Sequence, residues 1–564
     1  MKNKTLVISV CISVLFAIVP FVMMFFMSGG NYPKLPVEIM DDSNYYYSRA
    51  VEISQGNLFV GNQYIKENKN ELSPSFFVGD WLWSIPLILG LSVQTSIIVS
   101  QILWFLVFGI FLYYIFLLFG VEKKYIPWAT SFVFLFIYWY LARPVAMQVI
   151  FPIFLIWVTS LALYLKEPDS KRNMLFLFFS TTISIYVYTY LAQIIFVTFS
   201  VLLFATFFQS FKKYLYLWFI ATGVLLASIP FAYYSWNQIQ HPLYFETFYR
   251  IGLVDTHMLG TPAFIYSFVL FLSLSVLYFL RSKFNNHELL MISSISFGLL
   301  LATISNVFTG KDLEIAVHVG RFVELWTVLL LCLFVQKYCD DFKNWNFYKL
   351  IIFGGYVLFV VSFFIFQLRV WTNVNSGLLD NEVYQAPLEW LRDNTPADSV
   401  IFANDKLSSY IPVVTHNYIL FHPNILLQLD SDKNIQDRYL VSRIFQNISL
   451  EDIKKDMRKY AGAGYTAHRH MVHNRSTKLC QLLKLDLLGK DCGQFETQYS
   501  LMGEEYFSNM KTQYDLFKKN PIDILKKYNV SYVVFDKDND IWLLPKVLKP
   551  VWINDRFEIY KISD

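Results

Sequence analysis

The sequence predicts a polytopic α-helical membrane protein of about eleven spans, followed by a C-terminal extracytoplasmic α/β domain. Three observations predict it. Of the 564 residues, 55% are hydrophobic and only 16% are charged, against roughly 25% charged in ordinary soluble proteins. The charge is also unevenly spread: residues 370–564 hold 24 Lys+Arg and 25 Asp+Glu, about 25% of that segment, whereas residues 1–369 are about 11% charged. Finally, the first 369 residues contain about eleven apolar runs of the length a bilayer needs, separated by polar breaks.

The runs fall at 5–28, 94–119, 125–142, 147–165, 173–189, 190–208, 214–234, 263–280, 288–307, 321–337 and 348–368. The first follows Lys2 and Lys4, but it exceeds the apolar core of a signal peptide and Met27-Ser-Gly-Gly is a poor cleavage site, so it reads as a retained anchor. With the N-terminus cytoplasmic, 14 of the 23 cations before residue 370 fall at cytoplasmic ends and breaks, and each short cytoplasmic break has at least two. This is the positive-inside pattern, and with an odd number of spans it places the tail outside, beside the first loop. The net charge of +4 divides into +5 and −1 across the seam, which gives no basic surface for nucleic acid. Five cysteines are too few for a disulfide scaffold; Cys480 and Cys492 either pair, if the tail faces an oxidising compartment, or are free thiols.

Three outer segments are long enough to build a site: 29–93, 235–262 and 308–320. In the first, Asp42, Tyr45, Tyr46, Arg49 and Ile53 share one helical face, with Asp41 or Asp42 at the N-terminus and Gly56 ending the helix. Such a helix, aromatic and amphipathic, is expected to lie along the membrane surface. The acidic pair reads either as an N-cap or as a base or metal ligand held at the membrane, and the two readings are compatible. Asp80, between Gly79 and Trp81, reads as an ordinary loop charge.

Arg321 and Glu324 enter an apolar run, where ionisable groups are costly unless paired or functional. Three residues apart on one helix, they form an ion pair, or else Arg321 offers its planar fork of donors to an anionic headgroup. Arg143, before Pro144, reads as an interfacial snorkelling residue. Asp255 and His257 read as ordinary loop. In the tail, Trp390–Pro396 looks like a helix end, Ser399–Phe402 and Val530–Phe535 like strands, Ile522–Tyr528 like a helix and Phe557–Ile562 like a closing strand. His468, His470 and His473 match no strong zinc pattern and read as a solvated basic stretch with Arg469 and Arg475.

These residues resemble a family. The acidic motif and Tyr-rich helix of the first outer loop, the many spans and the outer tail look like the GT-C class of membrane glycosyltransferases. Asp42-Ser-Asn-Tyr-Tyr-Tyr-Ser-Arg49 is similar to the first-loop motif of oligosaccharyltransferase catalytic subunits. Asp41-Asp42 resembles the acidic pair of protein mannosyltransferases and lipid A aminoarabinose transferases, and His318-Val-Gly-Arg321-Phe the Arg-aromatic entry to a late span. The Trp-Trp-Asp-Tyr-Gly signature is absent from the tail, which argues against peptide N-glycosylation, and no acidic residue near Arg143 supplies a second metal carboxylate.

The resemblance implies a multi-pass protein of the plasma (inner) membrane that moves a sugar from a polyprenyl-phosphate carrier to a lipid, glycan or protein acceptor on the outer face. It implies Asp42 or Asp41 as the base, and Arg321, with Arg143 and Lys311, holding the donor phosphate. Tyr45, Tyr46, Arg49, His318 and Glu324 would contact donor or acceptor. A divalent metal is left open, since hard cations favour carboxylate oxygen. Two other classes stand beside it: a transporter or lipid-handling protein without covalent chemistry, and a catalytically silent relative. The first predicts internal repeats and broken helices near mid-membrane, and no repeat is visible between the two halves.

Overall fold

A computed structural model describes residues 4–30, 34–40, 42–212, 214–339, 381–545 and 548–562, with positions 354, 357, 361 and 365 between them. Ten of the eleven expected apolar runs are helical. In chain order the helices of this part are α1 (Lys4–Met27), α2 (Ser43–Ser54), α3 (Val78–Ile88), α4 (Val93–Leu118), α5 (Ile126–Ala142), α6 (Ala146–Lys166), α7 (Lys171–Val187) and α8 (Thr189–Ser210). They continue with α9 (Leu215–Ala227), α10 (Ile229–Gln240), α11 (Tyr244–Ile251), α12 (Thr261–Phe279), α13 (Asn286–Thr303), α14 (Ser305–Thr309) and α15 (Ile315–Cys339). Among the described residues six of these helices are long and apolar enough to cross a membrane, and the α9–α10 pair makes a seventh. Of the run at 348–368 only positions 354, 357, 361 and 365 are described, each helical, and the seam at 369/370 lies outside the described residues.

The run expected as one span at 214–234 is the α9–α10 pair, bent by 42° at Ser228. Pro230 opens α10 and has no N–H to continue the ladder of α9. The break between α7 and α8 falls at Tyr188, which is extended without any Pro or Gly to impose it. Its hydroxyl is drawn instead to His318 of α15, 2.5 Å from Nδ1. Close helix contact depends on small residues: a Cβ on Gly320 of α15 would stand 2.1 Å from the ring of Tyr266 on α12.

The tail holds a five-stranded sheet made from β3 (Val400–Phe402), β4 (Tyr418–Ile419), β5 (Val530–Asp536), β6 (Pro550–Ile553) and β7 (Phe557–Lys561), in the order β4-β3-β5-β7-β6. Strands β4, β3 and β5 are parallel, with Ile401 opposite Ile419 and Tyr532. Strand β7 returns antiparallel to β5 and pairs with β6. Helices at Asp405–Val414, Asp432–Ser442, Ala463–Leu482 and Glu504–Lys519 lie between β3 and β5. Cys480 and Cys492 form a disulfide.

All three segments expected on the outer side meet this tail. The backbone N–H of Ile419 on β4 donates to the Tyr64 carbonyl at 3.0 Å, so the first loop covers the end of the sheet. Arg438 pairs with Glu67 at 2.7 Å, and Lys406 with Glu38 at 2.6 Å. From the second segment, the buried Arg250 donates to the carbonyls of Leu426, Gln428 and Asp430. A two-stranded antiparallel sheet of β1 (Leu253–Asp255) and β2 (Lys311–Leu313) joins the second segment to the third. At the other end of the bundle, Leu118, Lys166, His287 and Glu288 line one small cavity, which brings three of the Lys/Arg-bearing breaks together.

Helix α2 is packed between α3 and the tail, with Tyr45, Tyr47, Ser48, Arg49, Ala50 and Val51 all buried, so it does not present the exposed face expected of an amphipathic surface helix. Its apolar period was real, but its other face is buried too, by Asn44 bonding Ser409 of the tail at 3.1 Å. Gly56, with φ +99°, follows the helix as expected.

Asp80 is corrected as well. It sits in the first turn of α3 and is the buried partner of Arg49, which reaches it through Nε at 3.2 Å and Nη2 at 2.7 Å. A buried guanidinium needs such a partner and further acceptors; Ser73 Oγ, at 2.8 Å from Nη1, is one.

Candidate active site

Asp42 occupies the position before α2, yet its carboxylate makes no cap bond. The capping reading fails for Asp42 because Arg143 claims the carboxylate: Nη2 pairs with Oδ2, and Nε lies 3.3 Å from Oδ1. Arg143 is therefore paired and mostly buried rather than snorkelling, and its guanidinium also lies over the Tyr46 ring, 5.5 Å from the centroid. Asp41 lies outside the described residues.

The turn that delivers Arg143 is strained. Val145 has φ +57° and ψ −61°, closed by a bond from the Ala146 N–H to the Pro144 carbonyl at 2.7 Å. This three-residue turn is rare, and for a β-branched residue a positive φ costs on the order of 1–3 kcal/mol. The strain puts α5 and α6 at the angle that points Arg143 back at Asp42.

Arg321, in the first turns of α15, makes no hydrogen bond or ion pair among the described residues. The expected pair with Glu324 does not form, because Glu324 accepts a bond from the Tyr266 hydroxyl at 2.6 Å. Arg321 instead belongs to the electrostatic neighbourhood of Asp42 and Arg143. Burial pushes the Tyr46 hydroxyl up to about 12, Arg143 and Arg321 pull it down, and Asp42 and Tyr45 push it up. A carboxylate and two guanidinium groups thus lie within electrostatic reach of one phenol.

His318, one turn before Arg321, stacks on Tyr190 with ring centroids 4.3 Å apart. Its Nε2 lies 3.7 Å from Glu314, whose other oxygen lies 3.0 Å from His468 of the tail. The two imidazoles hold the Glu314 carboxyl well below the usual carboxylate range, and Glu314 raises His468 in turn. Glu314 is also a non-glycine residue with φ +50°. The histidine cluster is corrected by this contact: His468 docks the tail, His470 bonds the Glu496 carbonyl at 2.8 Å, and His473 the Gln494 carbonyl at 3.4 Å.

The structure therefore brings Asp42, Tyr46, Arg143, Arg321 and His318 together. Tyr45 and Arg49 are directed elsewhere, Tyr45 into the tail's core and Arg49 to Asp80. Lys311 stands on β2, ion-paired with Asp255, which also accepts from Tyr249. His257 bonds the Val307 carbonyl at 2.9 Å. Tyr188, Tyr190 and Glu314 enter the site without a local sequence signal. Among the described residues no three His, Cys, Asp or Glu side chains converge as a metal site.

Fold and site together define a polytopic helical membrane protein with a charged site where the helix bundle meets an α/β domain. No family model and no curated protein sequence matches the chain. Among solved structures it is similar to ArnT from Cupriavidus metallidurans bound to undecaprenyl phosphate, at 13% identity and TM-score 0.48, covering 100% of this chain and 99% of that one. It is also similar to the apo oligosaccharyltransferase of Archaeoglobus fulgidus, at 11% identity and TM-score 0.47, covering 95% of this chain and 70% of that one. With AglB of Archaeoglobus fulgidus in complex with an inhibitory peptide and a dolichol-phosphate, the values are 11% and 0.44.

Proposed function

We propose that the chain is a membrane glycosyltransferase of the GT-C kind, which moves a sugar from a polyprenyl-phosphate carrier to a hydroxyl acceptor on the outer face. The observation that carries the reading is the placement of one carboxylate, Asp42, beside Arg143 and the uncommitted Arg321 where the bundle meets the tail. The acceptor oxygen attacks the anomeric carbon, the bond from that carbon to phosphate oxygen breaks, and the polyprenyl phosphate leaves with the electron pair. Asp42 takes the acceptor proton. Arg321, whose donors are unspent, takes the phosphate charge, and Arg143 orients Asp42 and shares that charge. His318, fixed by Tyr188 and Tyr190, lines the approach. A divalent metal would find Asp42 already held by Arg143 and Glu314 already held by His318 and His468. No step above is routed through one.

The disulfide supports an outer tail, since such bonds persist in oxidising compartments. The gathering of three cation-rich breaks at the opposite end supports the same orientation.

The test is transfer by the purified full chain in proteoliposomes, with a panel of polyprenyl-phosphate sugars as donors and envelope lipids and glycans as acceptors. Asp42→Asn is expected to lower transfer by about 10²–10⁴-fold, and Arg321→Ala to weaken donor binding while Arg321→Lys restores part of it. Full activity in both Asp42→Asn and Asp41→Asn would defeat the base assignment. No transfer with any donor by a chain that binds polyprenyl phosphate would favour the silent relative.

A further inference from the structure

The tail helix Ala463–Leu482 crosses the ends of two membrane spans. Its His468 reaches Glu314, the residue before α15, at 3.0 Å. Seven residues on, about 10 Å along the helix, Arg475 lies against Gly260, the residue before α12: a Cβ on Gly260 would stand 3.3 Å from Nη1. Ser476 Oγ lies 3.5 Å from the sulfur of Met258. The two span ends stand level. Strands β1 and β2 pair just ahead of them, and Gly320 and Tyr266, six residues in from Glu314 and Gly260 respectively, are in contact. A helix that rests on two level span ends lies along the membrane surface, and beyond Arg475 it runs past α12. Helix α12 packs on α15 and α13 and leaves Phe264, Ile265, Phe268 and Leu272 exposed on its other flank, the side that meets lipid.

Past α12 the chain presents leucines. Leu482, Leu483, Leu487 and Leu488 are 74%, 56%, 77% and 80% exposed. The loop that carries them is nonetheless held in one shape. The Cys480–Cys492 disulfide closes it, and Asn474 braces it by accepting from the Glu496 N–H and donating to the Glu496 carbonyl, both at 3.1 Å. Lys484 at φ +53° and Gly489 at φ +80° bound the single turn Leu485–Leu488. Contiguous apolar surface on an ordered element marks a contact site, and two observations name the contact. The leucines continue the lipid-facing flank of α12. Around them, Lys478, Lys484 and Lys490 are exposed, and their side chains make no ion pair among the described residues, whereas Asp491 is occupied by the Gly493 N–H at 2.8 Å. Leucines flanked by free ammonium groups fit a phospholipid leaflet, whose acyl region takes the apolar side chains and whose phosphates take the cations.

We propose that the disulfide-closed loop Cys480–Cys492 dips into the leaflet on the tail's side, beside α12, seating Leu482, Leu483, Leu487 and Leu488 among the lipids with the lysines facing the headgroups. The proposal needs no transferase activity. It is tested on the full chain in proteoliposomes of phosphatidylethanolamine and phosphatidylglycerol, with photoreactive benzoylphenylalanine in place of Leu487 or, in a second variant, of Leu488. The same group in place of the exposed Leu516, on the tail helix Glu504–Lys519, is the reference. After irradiation, mass spectrometry reads what each position has joined. Phospholipid adducts are expected at 487 and 488 at about ten times the yield at 516, since burying one leucine side chain is worth a factor of about ten or more. The second variant carries the test should the first lose its disulfide or its unfolding temperature. Phospholipid yields no higher than at 516, or crosslinks formed mainly to a second copy of the chain, overturn the proposal.

Discussion

Severing the Arg49–Asp80 pair is expected to loosen α2 from α3. Both side chains are buried, at 1% and 4% exposure, and two guanidinium nitrogens are committed to the one carboxylate. Removing one partner of such a pair costs about 3–5 kcal/mol, because the surviving charge stays buried without compensation. Asp80→Leu and Arg49→Met should each show that loss. The double variant should cost less than either single substitution, since two apolar side chains leave no charge behind. Native-state hydrogen exchange of the α2 amides reads the effect: the single variants should exchange roughly 10²–10⁴-fold faster than the parent, and the double variant should fall between. Additive losses in the double variant would refute the reasoning, as would unchanged exchange in α2 when only the global unfolding temperature falls.

The Glu314–His468 bridge predicts a pH-dependent docking of the tail. Glu314 is held below its ordinary range, so its contribution is present above that range and is lost as pH falls through the depressed value; His468 is raised, so its contribution is full below the ordinary imidazole range and is lost as pH rises through the shifted value. Amides of the helix Ala463–Leu482 should therefore exchange faster above the shifted His468 value, and Glu314→Gln should flatten that profile. Reducing the Cys480–Cys492 disulfide, or replacing Cys480 by Ser, should destabilise that segment by about 2–3 kcal/mol, the value for a loop of this length, read as faster proteolytic nicking at 483–497. Gly320→Leu should displace Tyr266 and free Glu324, lowering the unfolding temperature more than a leucine placed at the exposed Val335 of the same helix.

What was legible in the sequence was local. Apolar length located ten helices, and the fall and rise of charge located the tail, because both follow from residues adjacent in the chain. Asp42, Arg143 and Arg321 were legible as single scarce charges at helix ends, since such groups stand out against an apolar background. Their partners were not. Asp80 reads as a loop charge until Arg49, 31 residues earlier, is folded onto it, and His468 reads as solvated until Glu314 arrives from another domain. The face of α2 that meets Ser409 is polar by composition, so its 3.6-residue period suggested exposure where there is burial.

The first loop's place in the tail has a consequence for how the chain acquires its shape. Leu35, Tyr45, Tyr64 and Ile65 are buried in the same core as Val400, Ile419 and Ile559. A ribosome delivers the first group more than 300 residues before the last strand that needs it. Until then these side chains wait at the membrane with nothing to cover them, and the tail cannot be excised as an independent module without opening its own interior. The jump in charge near residue 370 is therefore not the edge of a folding unit: the core of the tail is completed by the segment that also carries Asp42, so assembling that core and setting the Asp42 carboxylate against Arg143 are a single event.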